Sequence, residues 1–294
     1  MGDMQITGHR GSRMSGGFEN PMFVRLLRNI TSSFAKEKIK TVFRKRRRME
    51  PQAGSPGRQP IFWNRRMRMN TNLTPEQLAK YFDHTQLRAY AAYADFEKVC
   101  GEARAYGFAM VAINPVPVAL CKKLLAGTDV HVGAAIGFPL GQNTIATKAF
   151  ETKDAIGNGA DEIDYVIDIT QLKEKNYDYI QKEMAAIVEP CRAANVISKV
   201  IFENCYLTDE EKRSLCAIAR EVRPDFIKTS TGFGAGGATF EDVALMKRAV
   251  GDDVKIKAAG GVRTLEMALH MIELGVSRIG STASVAIVEE LKAQ

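Results

Sequence analysis

Residues 70–294 are predicted to form an α/β protein of the (β/α)8, or TIM, barrel class, preceded by a basic low-order extension over residues 1–69. Three observations predict it. Near-continuous apolar runs alternate with amphipathic stretches at helical spacing, eight times over. The runs lack the polar alternation of a half-exposed sheet, which marks parallel strands buried on both faces. About 225 residues for eight such units is the ordinary length of a closed (β/α)8 barrel. A doubly wound open sheet would share the alternation, but no G-x-G-x-x-G follows the first run.

The elements follow in order. "TPEQ" opens a helix, with Thr74 as N-cap, Pro75 at the first helical position and Gln77 three residues after the cap. The strand runs are "YFDHTQL" (81–87), "FAMVAINP" (108–115), "VHVGAAIGFP" (130–139), "EIDYVIDI" (162–169), "KVIFENC" (199–205), "DFIKTST" (225–231), "VKIKAAGG" (254–261) and "SRIGST" (277–282). Gly107, Gly159 and Gly275 stand just before strands, where a helix ends on a left-handed residue.

Charge divides the chain at the same boundary. Residues 1–69 carry 16 Lys+Arg and 4 Asp+Glu, whereas residues 70–294 carry 25 and 30. The basic character therefore belongs to the extension, and the barrel itself has no excess positive charge to offer a nucleic acid. Within the extension, Phe23, Leu26, Leu27, Ile30 and Phe34 fall at helical spacing beside Arg25 and Arg28. It reads as a solvated tail without a role, as residues upstream of a start at Met67 or Met69, as a basic binding arm, or as an organelle transit peptide. Arg25 and Arg28 break any secretory apolar run, and no stretch reaches the roughly 18 apolar residues of a membrane span. Five cysteines form no C-x-x-C pair and four histidines are scattered, which excludes a zinc site and a disulfide framework. A reduced, cytoplasmic setting is the simple reading.

Lys199, Lys228 and Lys257 each sit inside a strand run, at intervals of 29 and 29, and Asp164 lies 35 residues before Lys199. These spacings put the four on consecutive strands. Alternation makes Glu162, Asp164, Val166 and Asp168 share one face of their strand, and Lys199, Ile201 and Glu203 share one face of theirs. The outer face of a barrel strand meets apolar helices, so the charges must point inward and cluster. A buried ion pair accounts for one such lysine. It does not account for three, because apolar replacements often stabilise a fold as well. A desolvated lysine beside a second cation is, however, an amine nucleophile for carbonyl carbon. Neutrality at pH 7 requires a fall of about three pKa units, or about 4 kcal/mol. A second cation ~4 Å away contributes about 4 kcal/mol at an effective dielectric of ~20, so one neighbouring lysine suffices without full burial. Beyond these strands, "STGFGAGGAT", "AAGGVRT" and "GSTAS" open late strand ends onto helix N-termini, a usual place for phosphate in a barrel.

With "FDHTQL", "AINP", "IGFPLG", "ADEIDYVID", "KVIFEN", "FIKTSTGF", "KAAGGVRT" and "RIGST", the chain resembles the 2-deoxyribose-5-phosphate aldolase family of class I, Schiff-base aldolases, over about residues 74–292. The resemblance implies cleavage of 2-deoxy-D-ribose 5-phosphate to D-glyceraldehyde 3-phosphate and acetaldehyde, a step of deoxynucleoside catabolism. It implies Lys228 as the Schiff-base nucleophile, Lys257 as the lysine that tunes it, and Asp164 as a proton relay working through water. It sets Asp83 and Thr85 near substrate hydroxyls, gives Lys199 a supporting place inside the barrel, and assigns Gly232, Gly260, Gly261, Gly280 and Ser281 to phosphate-binding loops. It implies a sugar-phosphate partner, no metal, no cofactor and no nucleic acid for activity, and leaves a homodimer open. The chain departs from the family pattern at Ala112, where cysteine is frequent, and at Asn204, where threonine is. It adds Asp168 to the inward face, and it ends Lys292-Ala293-Gln294 with no tyrosine after Tyr206, where some members end in one. Another Schiff-base lyase acting on a different sugar phosphate would carry the same lysines. A non-catalytic sugar-phosphate or nucleic-acid binder using the basic arm would have no use for Lys228, Lys257 and Asp164 together.

Overall fold

The computed structural model describes residues 73–294, so the readings of residues 1–69 lie outside the described residues. Eight strands form: β1 (Phe82–Gln86), β2 (Met110–Ile113), β3 (His131–Ile136), β4 (Glu162–Val166), β5 (Ile197–Ile201), β6 (Phe226–Lys228), β7 (Lys255–Ala259) and β8 (Arg278–Ser281). They pair in parallel in chain order, and β8 closes onto β1. Each lies within or beside its predicted run. The runs extend too far at their C-terminal ends because the last residues of each turn outward into loops.

The outer layer is α1 (Pro75–Ala79), α2 (Tyr93–Tyr106), α3 (Val118–Leu124), α4 (Ile145–Gly157), α5 (Ile169–Lys173), α6 (Tyr177–Ala193), α7 (Asp209–Val222), α8 (Phe240–Val250), α9 (Leu265–Glu273) and α10 (Ser284–Lys292). At α1 the expected capping box is formed: Thr74 Oγ1 accepts from Gln77 N (3.2 Å) and Thr74 N donates to Gln77 Oε1 (2.9 Å). Threonines 144, 208, 239 and 264 cap α4, α7, α8 and α9, each accepting from an N–H that the helix leaves unpaired, and Thr208 also forms a capping box with Glu211.

Strand alternation separates two interiors. Val111, Ile113, Val132, Ile136, Ile163, Tyr165, Val200, Ile227, Ile256 and Ile279 face the helices and join them in one apolar core. The alternate residues, among them Asp83, Glu162, Asp164, Lys199, Lys228, Lys257 and Arg278, fill the barrel and are buried. Register refines the equal spacing of the lysines. Lys228 lies level with Lys257, and Asp164 with Lys199, but Lys199 is opposite Phe226 and so sits two residues below Lys228. Alternation also fails beyond strand ends. Asp168 does not join the inward face, because β4 ends at Val166 and Asp168 becomes the N-cap of α5, accepting from Gln171 N (3.1 Å). A short carboxylate just past a strand satisfies an orphan helix N–H better than it continues a strand.

The end of β4 is held by a buried clamp. Lys148 Nζ, on α4, donates to Gly141 O (2.5 Å), Val166 O (2.8 Å) and Glu183 Oε1 (2.6 Å), which uses all three of its donors. Glu183, on α6, accepts from Asp168 N (3.0 Å) with its other oxygen. Burial pushes the Glu183 carboxyl up despite the Lys148 charge beside it. Lys148→Met strands that carboxylate and is expected to destabilise the barrel by about 3–5 kcal/mol, read from denaturant midpoints. Lys148→Met with Glu183→Leu should regain part of the loss. A double variant as unstable as the single would show that the clamp contributes packing and carbonyl bonds rather than charge.

Candidate active site

A lysine at the last residue of β6 points into a barrel already holding three carboxylates and three other cations. Lys228 Nζ lies 2.8 Å from Asp164 Oδ2. Lys257 Nζ reaches the same oxygen at 2.6 Å and Asp83 Oδ2 at 2.5 Å. Lys199 Nζ takes Asp164 Oδ1 at 2.7 Å and also pairs with Glu162. Arg278 bridges Asp83, through Nε at 2.6 Å, and Glu162 Oε1, through Nη2 at 3.0 Å. With every group ionised, the cluster carries one surplus positive charge. Lys199, Lys257 and Arg278 each touch two carboxylates. Lys228 touches one, through an oxygen it shares with Lys257, so its proton is held most weakly.

The electrostatics follow from that inequality. The Lys228 ammonium is lowered to about 8, first by burial and then by the charges of Lys257 and Lys199, against the opposing pull of Asp164. Burial thus leads, and the neighbouring-charge estimate from sequence put the emphasis elsewhere. The reason is that Lys257 is no free cation, being held by two carboxylates of its own. Burial alone would raise Asp164, but the three lysines outweigh it and hold the carboxyl well below its usual range. Burial would lower Lys199, yet Asp164 and Glu162 reverse this and raise it. Burial opposes the charged forms of Glu162 and Arg278, but Lys199, His131 and Arg278 together hold Glu162 low, and Asp83 and Glu162 raise Arg278. The close ion pairs hold Asp164, Glu162, Lys199 and Arg278 in their charged forms, whereas the Lys228 ammonium, lowered to about 8, is left with the weakest hold on its proton.

Above the cluster opens a cavity of about 570 Å³. Lys228 and Lys257 line it, with Thr85, Ala112, Thr231, Gly232, Gly260, Gly261, Gly280 and Ser281. Asp164, Lys199 and Asp83 do not line it; they lie buried among their ion pairs. Asp83, expected near substrate hydroxyls, is fully buried with its carboxylate committed to Lys257 and Arg278, whereas Thr85 is open to the cavity. Of the two departures in the strand ends, Ala112 faces the cavity. Asn204 turns away from it, its Nδ2 donating to Met246 Sδ (3.3 Å).

The loop residues differ in what they offer. Gly232, Gly260 and Gly261 have φ of 87°, 82° and 85°, a region open to glycine, and their N–H groups have no partner among the described residues. A Cβ on Gly237 would meet Gly260 O at 2.2 Å, so the loops after β6 and β7 can approach only backbone to backbone. A Cβ on Gly280 would lie 3.0 Å from Ala259 Cβ and 3.3 Å from Lys257 Cε, so the glycine leaves room for both. Ser281 lines the cavity with its hydroxyl already committed, donating to Val262 O (2.7 Å) and accepting from Ala283 N (2.9 Å). Sequence reasoning missed Arg278, although the argument used for the lysines applied to it equally: a charge two positions before Gly280 in an apolar strand run. Among the described residues no group of three His, Cys, Asp or Glu side chains is placed to hold a metal ion, and no helix is long and apolar enough to cross a membrane.

The comparisons with known proteins point one way. The family model described as DeoC/LacD family aldolase matches residues 77–283. The deoxyribose-phosphate aldolase of Lactobacillus acidophilus is 57% identical over 219 residues, 74% of this chain and 92% of that protein. That of Bacteroides thetaiotaomicron is 55% identical over 221 residues, 75% of this chain and 93% of its own. Among solved structures, the tetrameric deoxyribose phosphate aldolase of Aeropyrum pernix superposes with a TM-score of 0.68 at 28% identity, covering 75% of this chain and 93% of that one. A barrel that shares more than half its residues with such enzymes, and that buries one poorly paired lysine under an open cavity, belongs to the DeoC/LacD aldolase family and is a carbon–carbon lyase of the deoxyribose-phosphate aldolase kind.

Proposed function

We propose that Lys228 is the amine that forms the Schiff base, with Lys257 and Asp164 as its proton-handling partners. The observation that carries this is the pairing inequality: Lys228 opens onto the cavity and holds only a shared carboxylate oxygen. Its neutral amine attacks C1 of open-chain 2-deoxyribose 5-phosphate, and loss of water gives an iminium. That cation restores the charge that Lys228 gave up, so Asp164, 2.8 Å away, is suited to stabilise it. The C2–C3 bond then breaks as the C3 hydroxyl loses its proton. The bonding pair moves to C2 to form an enamine, and glyceraldehyde 3-phosphate leaves. Protonation at C2 and hydrolysis release acetaldehyde and return the amine. Lys257 is an ammonium in the cavity wall that shares Asp164 Oδ2 with Lys228, and the Asp164 carboxylate relays a proton from it to the substrate through water.

Gly232, Gly260 and Gly261 present their N–H groups to the phosphate, and Thr85 faces the sugar hydroxyls. Asp83 and Lys199 work from below: Asp83 fixes Lys257, and Lys199 fixes Asp164. Gly280 makes room for Lys257, and Ser281 shapes the wall. The catalytic unit is taken as residues 70–294, with 1–69 contributing nothing to turnover, a reading supported by the capped helix at Thr74 that opens the barrel. A homodimer and a reducing, cytoplasmic setting belong to the same proposal. They are supported by exposed Tyr90, Tyr93 and Val116 and by five free cysteines.

Borohydride reduction in the presence of 2-deoxyribose 5-phosphate should add mass to a single peptide, the one containing Lys228. Lys228→Ala should lose both the adduct and turnover, by on the order of 10⁴-fold or more, because no other amine stands ready to replace it. An adduct on Lys199 or Lys257 would overturn the assignment.

Lys257→Leu removes a cation beside Lys228 and leaves Asp164 Oδ2 to Lys228 alone, with Asp83 short of a partner. Both changes favour the Lys228 cation. The pH midpoint of borohydride trapping should therefore rise from about 8. The expected rise is about one to two units, the scale on which one like charge ~5 Å away acts at moderate dielectric. An unchanged or acid-shifted midpoint would mean that Lys257 does not tune the nucleophile.

A further inference from the structure

We infer that Glu203 is a positioning residue for the substrate phosphate, acting through Thr231; this rests on the placement of the phosphate at Gly232, Gly260 and Gly261 proposed above. Glu203 stands two residues beyond β5 with φ 56° and ψ 59°, the left-handed region that a long side chain rarely enters. It is 3% exposed. Asp83, Glu162, Asp164 and Glu183 are buried carboxylates too, and each is paired with a lysine or arginine. Glu203 alone among these has no cation partner within the described residues. The donors that reach it are uncharged: Thr231 N at 3.1 Å, Thr231 Oγ1 in a short bond, and the Cys205 thiol at 3.9 Å. One residue thus combines a left-handed backbone with a buried carboxyl that meets no cation, a combination that stability does not favour and that clusters at functional sites.

Both features converge on the loop that follows the nucleophile. Thr231 is three residues past Lys228 and lines the active-site cavity. Glu203 takes its N–H and its O–H together, and the Thr231 oxygen in turn accepts from Phe233 N at 3.0 Å. Gly232 lies between these two pinned residues, with φ 87°. Its N–H is therefore fixed in direction from both sides, while both donors of Thr231 are withdrawn from the cavity. Gly234 closes the wrap: a Cβ there would fall 3.2 Å from the Glu203 carboxyl carbon. Glu203 thereby selects which backbone donor the phosphate meets.

The test is the advantage that phosphate confers. It is the ratio of kcat/KM for 2-deoxyribose 5-phosphate to that for 2-deoxyribose, measured in wild type, Glu203→Gln, Thr231→Val, Thr231→Ser and the Glu203→Gln/Thr231→Val double variant. Glutamine can accept only one of the two Thr231 bonds. The ratio should fall about tenfold in Glu203→Gln, mainly through KM, at the lower end of what one charge-assisted hydrogen bond is worth. Thr231→Val should fall similarly, Thr231→Ser should keep the wild-type ratio, and the double variant should be no worse than either single, since the residues act as one unit. A ratio unchanged in Thr231→Val, or equal losses for both sugars in Glu203→Gln, would overturn the inference, the latter by showing a purely structural role. Should Glu203→Gln fail to fold, the Thr231 pair decides alone. A wild-type ratio near one would instead reject the phosphate placement itself, and this inference with it.

Discussion

Asp164 is one carboxylate shared by three lysines, and the interior of the barrel is arranged around that shortage. Its Oδ1 belongs to Lys199, and its Oδ2 is divided between Lys257 and Lys228. Asp83 and Glu162 satisfy the second needs of Lys257, Lys199 and Arg278, and among the described residues no second carboxylate pairs with Lys228. Four cations against three carboxylates in a buried space cannot all keep their protons cheaply. The proton held most weakly is the one with the fewest partners, so the lowered pKa of Lys228 reflects a deficit of counter-charge as well as burial and the proximity of a second lysine. Apolar side chains in place of buried ion pairs often leave a fold as stable or more so. Retention of the cluster is intelligible as pKa control.

The surrounding fold keeps that balance in place. Lys148 and Glu183 hold the C-terminal end of β4, the strand that carries Asp164, by bonds to Val166 O and Asp168 N. Gly280 leaves the space through which the Lys257 stem reaches Asp164 and Asp83. Phe226 underlies the cluster, with Lys199 Nζ and the Arg278 guanidinium each about 6 Å from its ring centroid, so the paired cations rest against an apolar face rather than water. At the other end, Gly237 and Gly260 let two loops meet backbone to backbone, and Gly232, Gly260 and Gly261 from those loops line the cavity.

The eight strands were legible because parallel strands buried on both faces read as apolar runs, and the lysines were legible because they interrupt those runs one β/α unit apart. What spacing could not supply was height. Lys199 and Lys228 are 29 residues apart, yet barrel stagger sets Lys199 two residues lower, which makes it a support for Asp164 rather than a wall of the cavity. Alternation was equally blind to strand ends. Asp168 and Glu203 were both placed on inward faces by period two, but each lies past the last strand residue, where one became a helix cap and the other took a left-handed backbone. Ser281 fell at a phosphate-loop position in sequence while its hydroxyl was taken by Val262 and Ala283, bonds that only the folded chain reveals. Arg278 was within reach of the sequence, as a charge in an apolar run, and it completes the charge count that the lysines alone leave unexplained.

The unliganded barrel already holds the Lys228 amine well below the ordinary lysine range. The most direct measurement is the titration of the lysine amines by NMR in the substrate-free enzyme, with Lys228→Arg identifying the resonance. The account predicts that this amine titrates at about 8, below the ordinary 10.5, while Lys199 stays protonated throughout. A Lys228 amine titrating at or above 10.5, or a low-titrating resonance that survives in Lys228→Arg, would contradict it.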